Sequence, residues 1–149
     1  MRQSLFHMSR NASSEIYLHI TWHTKSSVDS ISPEIENKLY EFIRNYSTHE
    51  IHALGGTQNH VHLAVSISPS TTISEWIGQL KGACAHHINN RIANRKVLEW
   101  QSGYGVVSFG KKDLPWVVDY IRDQKEHHAD GKTHDRLETI EGPLKASAK

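Results

Sequence analysis

From Glu15 to His23 the chain alternates without a slip, placing Ile16, Leu18, Ile20 and Trp22 on one face and Tyr17, His19, Thr21 and His23 on the other. That period belongs to a strand with one buried face and fits no helix. The period then changes. Ser32 and Pro33 open a helix, Glu34 and Glu36 suit the positive end of its dipole, and Ile35, Leu39, Phe42, Ile43 and Tyr46 recur at helical spacing. Ile51 to Leu54 and His60 to Ile67 read as a hairpin joined through Gly55 and Gly56. Pro69 closes it, and Ile73, Trp76, Ile77, Leu80, Ala83, Cys84, His87 and Ile88 form a second helical stripe. WQSGYGVVSF, residues 100–109, predicts a fourth strand. A third helix starts at Asp113 and Pro115, runs through WVVDYIRDQKEHH and stops near Gly131.

The order strand, helix, strand, strand, helix, strand predicts an α+β fold of the ferredoxin-like split β-α-β kind. Its antiparallel sheet carries helices on one face, and a C-terminal helix is added. Residues 1–149 read as a single domain, with a core over about 12–131 and a loose polar tail after it. In this topology the first and third strands are neighbours. Val61, Leu63, Val65 and Ile67 point toward the helices, so His60, His62, Ala64 and Ser66 point to the open face, with His19 nearby.

Composition sets limits on function. The formal charge is +1, so bulk electrostatics neither demands nor excludes a nucleic acid, and any such contact must come from local patches. One cysteine, Cys84, rules out an intramolecular disulfide; it falls in an apolar helix stripe and reads as a buried, inert thiol despite His87 nearby. MRQSLFHMSR lacks the apolar stretch of a secretory signal, and no run is long enough for a membrane span. The expected location is the cytoplasm.

With twelve histidines in the chain, chance alone supplies roughly one H-x-H pair. Placement distinguishes His60 and His62, since both rings share one face of a central strand. Tyr120 and Gln124, four residues apart, share a helix face about 100° round from the stripe Leu114, Val117, Val118 and Ile121. Taken alone, Tyr120 fits equally a residue that covers the edge of that stripe with its hydroxyl in water.

Five segments in this order, YLHITWHTK, GTQNHVHLAVSI, ISEWIGQLKG, WQSGYGVVSFG and YIRDQKEHH, resemble the single-tyrosine transposases of the HUH nuclease superfamily. These include REP-associated tyrosine transposases and those of the smallest insertion sequences, and the resemblance covers most of the chain. It implies that His60, His62 and Gln124 are metal ligands for a divalent ion (Mg²⁺ or Mn²⁺) and that Tyr120 is the nucleophile. It implies cutting and rejoining of single-stranded DNA near hairpins through a 5′-phosphotyrosine. It also implies a homodimer, in some members with the tyrosine helix completing the partner's site. His127 and His128 are candidate bases for the phenol, or solvated surface histidines.

Contacts to such a strand require cations for phosphates and aromatic faces for unpaired bases. Lys81, Arg91, Lys111, Lys112 and Arg122 supply the first, Trp100 and Tyr104 the second; Trp100 fits a core anchor as well. Two further readings remain. One is a domesticated protein that binds or nicks hairpin repeats without mobility. The other is a non-catalytic RNA-binding module using the open sheet face, although the aromatic-rich RNP signature is missing from the strands.

Overall fold

The computed structural model describes residues 13–140. Four strands, β1 (Ile16–His23), β2 (Glu50–Gly56), β3 (His60–Ile67) and β4 (Gly105–Phe109), form one antiparallel sheet in the order β2-β3-β1-β4. Helices α1 (Pro33–Tyr46) and α2 (Ile73–His87) connect them in the expected split β-α-β order. Ser32 caps α1, its hydroxyl accepting the Ile35 N–H at 3.3 Å, with Pro33 in the first turn. The main core lies between these helices and the sheet. Leu18, Ile20, Trp22, Val61, Leu63 and Val65 from β1 and β3 meet Leu39, Ile43, Ile77, Leu80 and Cys84.

Three details depart from the sequence expectation. Gly55 and Gly56 belong to β2 itself, and the turn is Thr57–Asn59, closed by the Thr57 N–H donating to the His60 carbonyl at 3.1 Å. The third helix is broken at Asp123 into α3 (Leu114–Arg122) and α4 (Gln124–Asp130), with Gly131 at φ 71° ending the second piece. Beyond Gly131, where a loose tail is expected, a further turn, α5 (Asp135–Glu138), packs back on the molecule with Leu137 buried. Residues 141–149 of that tail lie outside the described ones.

The sheet face opposite α1 and α2 is not free. There α3 lies over β2 and β3, with Val117 and Ile121 packed on Ala53 and Ala64 in a second, smaller core. Ala53 pairs with Ala64 and Gly55 with His62, so small side chains form a trough where the helix backbone can come close. A β-carbon on Gly55 would collide with the carbonyl oxygen of Ile121. Gly78, by contrast, is an exposed residue in α2 whose β-carbon would meet nothing. Gly55→Ala should therefore cost about 1–3 kcal/mol in a urea melt through overpacking. Gly78→Ala should stabilise by about 0.5–1 kcal/mol through helix propensity. Equal effects would show that α3 does not seat on Gly55.

Candidate active site and metal centre

The alternation of β3 sends His60 and His62 to the α3 side of the sheet, where they are 2% and 0% exposed. Register sets their neighbours: His23 lies opposite His60, Thr21 opposite His62, and His19 one pair further on. His19 Nε2 is 2.7 Å from His62 Nδ1, a bond that fixes the His62 ring and points its Nε2 away from β1. Around His60, Nδ1 lies 2.8 Å from Asn59 Oδ1, while Thr57 Oγ1 donates to that same oxygen at 3.1 Å. Asn59 Nδ2 donates to the Ser27 carbonyl at 3.4 Å, which orients the amide. Thr57 Oγ1 also lies 2.9 Å from Nδ1; in the tautomer that donates from Nδ1 to the Asn59 amide oxygen, His60 Nε2 presents a lone pair.

From the other side come α3, α4 and α5. Gln124, the first residue of α4, is 1% exposed; its Nε2 donates to the Tyr120 carbonyl at 3.4 Å and its Oε1 faces His60 Nε2 at 3.2 Å. In that tautomer two acceptors face each other. Glu138 Oε1 lies 3.3 Å from His62 Nε2, 3.7 Å from His60 Nε2 and 3.5 Å from His128 Nε2. Alignment is poor, and His62 Nε2 is a buried nitrogen without a hydrogen-bond partner. Lone pairs converging on one point, with a buried nitrogen left unsatisfied, are a donor set that a divalent cation fits.

Tyr120 is 5% exposed, so the alternative of a hydroxyl in open water does not hold. Its hydroxyl donates to Glu138 Oε2 and accepts the His134 N–H at 2.8 Å. The ring is stacked between Trp116 and His127, with centroids at 5.6 and 4.8 Å, and stands edge-on to His62 at 6.0 Å. The tyrosine thus reaches the histidine pair of its own chain. A cleft of about 340 Å³ lined by Trp116, Asp119, Asp123 and His134 opens beside it.

Of the residues singled out in the sequence, His60, His62, Gln124 and Tyr120 are brought together, with His19, His127 and His128 around them. The candidates for contacts to a nucleic-acid strand lie elsewhere. Lys81 Nζ donates to the Gln101 and Gly103 carbonyls at 2.8 and 2.6 Å, bracing the loop into β4. The Trp100 indole N–H donates to the Lys81 carbonyl at 2.9 Å and meets Trp22 edge-on, so Trp100 serves the core, as does half-buried Tyr104. Arg91, Lys111, Lys112 and Arg122 are exposed, Lys111 3.9 Å from the Glu15 carboxylate. Sequence reasoning missed Glu138, His134 and the Thr57–Asn59 support. Within DRLE only Leu137 is apolar, too little to signal a docked turn.

Among known families, Transposase IS200 like matches residues 12–124. The chain belongs to that family, within the HUH tyrosine transposases that its segments resemble. Two solved structures share the fold. One is a protein of Deinococcus radiodurans R1 assigned as a transposase: 22% identity, 78% of this chain and 95% of that one covered, TM-score 0.63. The other is a REP-associated tyrosine transposase bound to a REP hairpin: 16% identity, 79% and 70% covered, TM-score 0.55. No curated protein matches the chain. Among the described residues, no helix is long and apolar enough to cross a membrane.

Burial sets the protonation states. It pushes His60 down to about 3, helped by His62, and it also lowers His19, His62 and His23. Burial works to raise the Glu138 carboxyl, but the polar groups facing it, His62 first and Tyr120 next, outweigh this and hold it below the usual range. Burial, then the Glu138 contact, raises Tyr120 to about 12. A histidine held low in the fold binds more protons unfolded, so its penalty is absent above the unfolded value near 6.5 and grows as pH falls below it. Glu138 contributes no slope between pH 7.5 and 5, since its stabilisation is lost only below about 4.5. In EDTA, urea unfolding at pH 5.0 should give a stability lower than at pH 7.5 by about 2 kcal/mol from His60 alone. A rise instead would show the histidines protonated and paired with Glu138.

Proposed function

We propose that this transposase is a metal-dependent enzyme that nicks and rejoins single-stranded DNA beside hairpins through a 5′-phosphotyrosine. The observation that carries this reading is the seating of the Tyr120 hydroxyl over the cluster lined by the His60 and His62 imidazoles, inside one chain. A Mg²⁺ or Mn²⁺ ion held by His60, His62 and Gln124 would supply positive charge where negative charge builds on the phosphoryl oxygens.

The protein's own groups do the rest. Tyr120 Oη attacks phosphorus as the phenol gives up its proton; the Oη–P bond forms and the bond from phosphorus to the 3′ oxygen breaks. That oxygen takes up a proton and leaves as a free 3′-hydroxyl. Attack by a different 3′-hydroxyl on the phosphotyrosine reverses the step, so the ester bond is conserved for rejoining. Trp116 and His127 hold the phenol ring flat between them, which fixes the direction of attack.

The hairpin partner is supported by the fold neighbour bound to a REP hairpin. Exposed Arg91, Lys111, Lys112 and Arg122 are the cations offered to its phosphates. Action in the cytoplasm as a homodimer belongs to the same reading, with each tyrosine serving its own chain's histidines. The RNA-module reading loses ground because α3 covers the sheet face it requires.

The test uses hairpin oligonucleotides from the chain's genomic flanks with Mn²⁺, Mg²⁺ or EDTA. Wild type should give a denaturation-resistant adduct only with metal. Tyr120→Phe should give none, and His60→Ala should slow adduct formation by about 100-fold or more, as loss of several kcal/mol of charge stabilisation requires. Hairpin binding without adduct under either metal would reduce the chain to a binding protein.

A further inference from the structure

The ligand set His60, His62 and Gln124 has a chemical weakness. All three donors are neutral, whereas a dication leaving water for a buried site needs anionic charge close by, and Mg²⁺ and Mn²⁺ favour carboxylate oxygen over imidazole. One carboxylate corrects this. We infer that Glu138 is a fourth protein ligand of the metal centre and that its second oxygen positions the Tyr120 hydroxyl toward the metal, an inference that rests on the metal-dependent reading above.

The geometry supports a shared ion. One potential ligand atom from each of His60, His62, His128 and Glu138 lies within 4.8 Å of the others. Donors about 2.1 Å from one ion stand roughly 3–4.2 Å apart, and Glu138 Oε1 lies 3.3 Å from His62 Nε2 and 3.7 Å from His60 Nε2. His62 Nε2, fully buried and without a hydrogen-bond partner, aims into the space between them. Four protein ligands on a six-coordinate ion would leave room for a phosphate oxygen and a water.

Glu138 is also held, not merely near. Leu137 beside it is buried, and Arg136 donates to the Ser108 carbonyl at 3.4 Å. The Thr139 carbonyl lies so close to Gly105 that a β-carbon there would collide with it. The segment is thus fastened along β4 on both sides of the glutamate. With Oε1 on the ion and Oε2 accepting from Tyr120, one side chain ties the nucleophile's position to the occupancy of the metal site.

Mn²⁺ binding tests this without any DNA, by the loss of the free-ion electron paramagnetic resonance signal on titration into the full chain. Glu138→Gln keeps the size and an acceptor oxygen for Tyr120, so the fold should survive; Glu138→Asp asks whether a shorter carboxylate restores binding. Loss of an outer-shell partner already weakens metal binding 10–100-fold, so Glu138→Gln should weaken Mn²⁺ affinity at least tenfold. Glu138→Asp should fall between it and wild type, and Glu126→Gln, on the exposed side of α4, should bind like wild type.

The inference is overturned if His60→Ala abolishes binding while Glu138→Gln stays within twofold of wild type, a result that leaves the metal-dependent reading intact. It is also overturned if Glu138→Gln binds Mn²⁺ normally and forms the DNA adduct faster, because the glutamate would then be occupying the phosphate's place. Wild type that binds no Mn²⁺ overturns both readings, and His60→Ala then matches wild type.

Discussion

The approach of the Ile121 carbonyl to Gly55 is the constraint on which the site depends. Ala53, Gly55 and Ala64 leave a trough in a face that β-branched residues would otherwise have filled, and α3 drops into it until Val117 and Ile121 touch the sheet. That depth brings Tyr120, one position before Ile121, within reach of His62 on the neighbouring strand. A helix riding higher on larger side chains would carry the same tyrosine, but over solvent. Gln124, four residues after Tyr120 and just past the break at Asp123, lies buried on the same side and donates to the Tyr120 carbonyl.

Much of this was legible in the sequence, for reasons that differ by element. The strict alternation of β1 and β3 carries a face assignment with it, and that assignment alone puts His60, His62 and His19 together. The helices α1 and α2 announce themselves because a single stripe faces a single core. The reading is weaker where one segment answers to two surfaces. The stripe on α3 is apolar on the sheet side, so Tyr120 looks like its margin, and only the collapse of α3 onto glycine and alanine shows the margin to be buried. Gly55 and Gly56 read as a turn because glycine commonly marks one; here Gly55 marks a close approach across the sheet instead. Glu138 could not be found by pattern, since what places it is contact with β4 and not any period of its own.

The histidines divide along the same physical line. Twelve of them make the sequence look uniformly ready to titrate, yet the fold takes a subset out of water and thereby keeps it neutral, while His86 and His128 stay exposed. A neutral imidazole is a ligand; a protonated one is not. Burial behind α3 therefore keeps lone pairs available at neutral pH, and the contacts of His62 with His19 and of His60 with the Asn59 amide oxygen orient the two rings. The same packing that raises the cost of ionising Tyr120 gives its oxygen a fixed position between Glu138 and the His134 N–H.

The contact between Gly105 and the Thr139 carbonyl has a consequence for substitution. A single codon controls whether the last turn can lie along β4. A side chain at position 105 would meet the Thr139 carbonyl first and Thr21 of β1 less severely, so the last turn and its carboxylate lose their footing before the core helices are touched. One substitution can therefore loosen the last turn, and with it the hold on the Tyr120 hydroxyl, without rebuilding the fold.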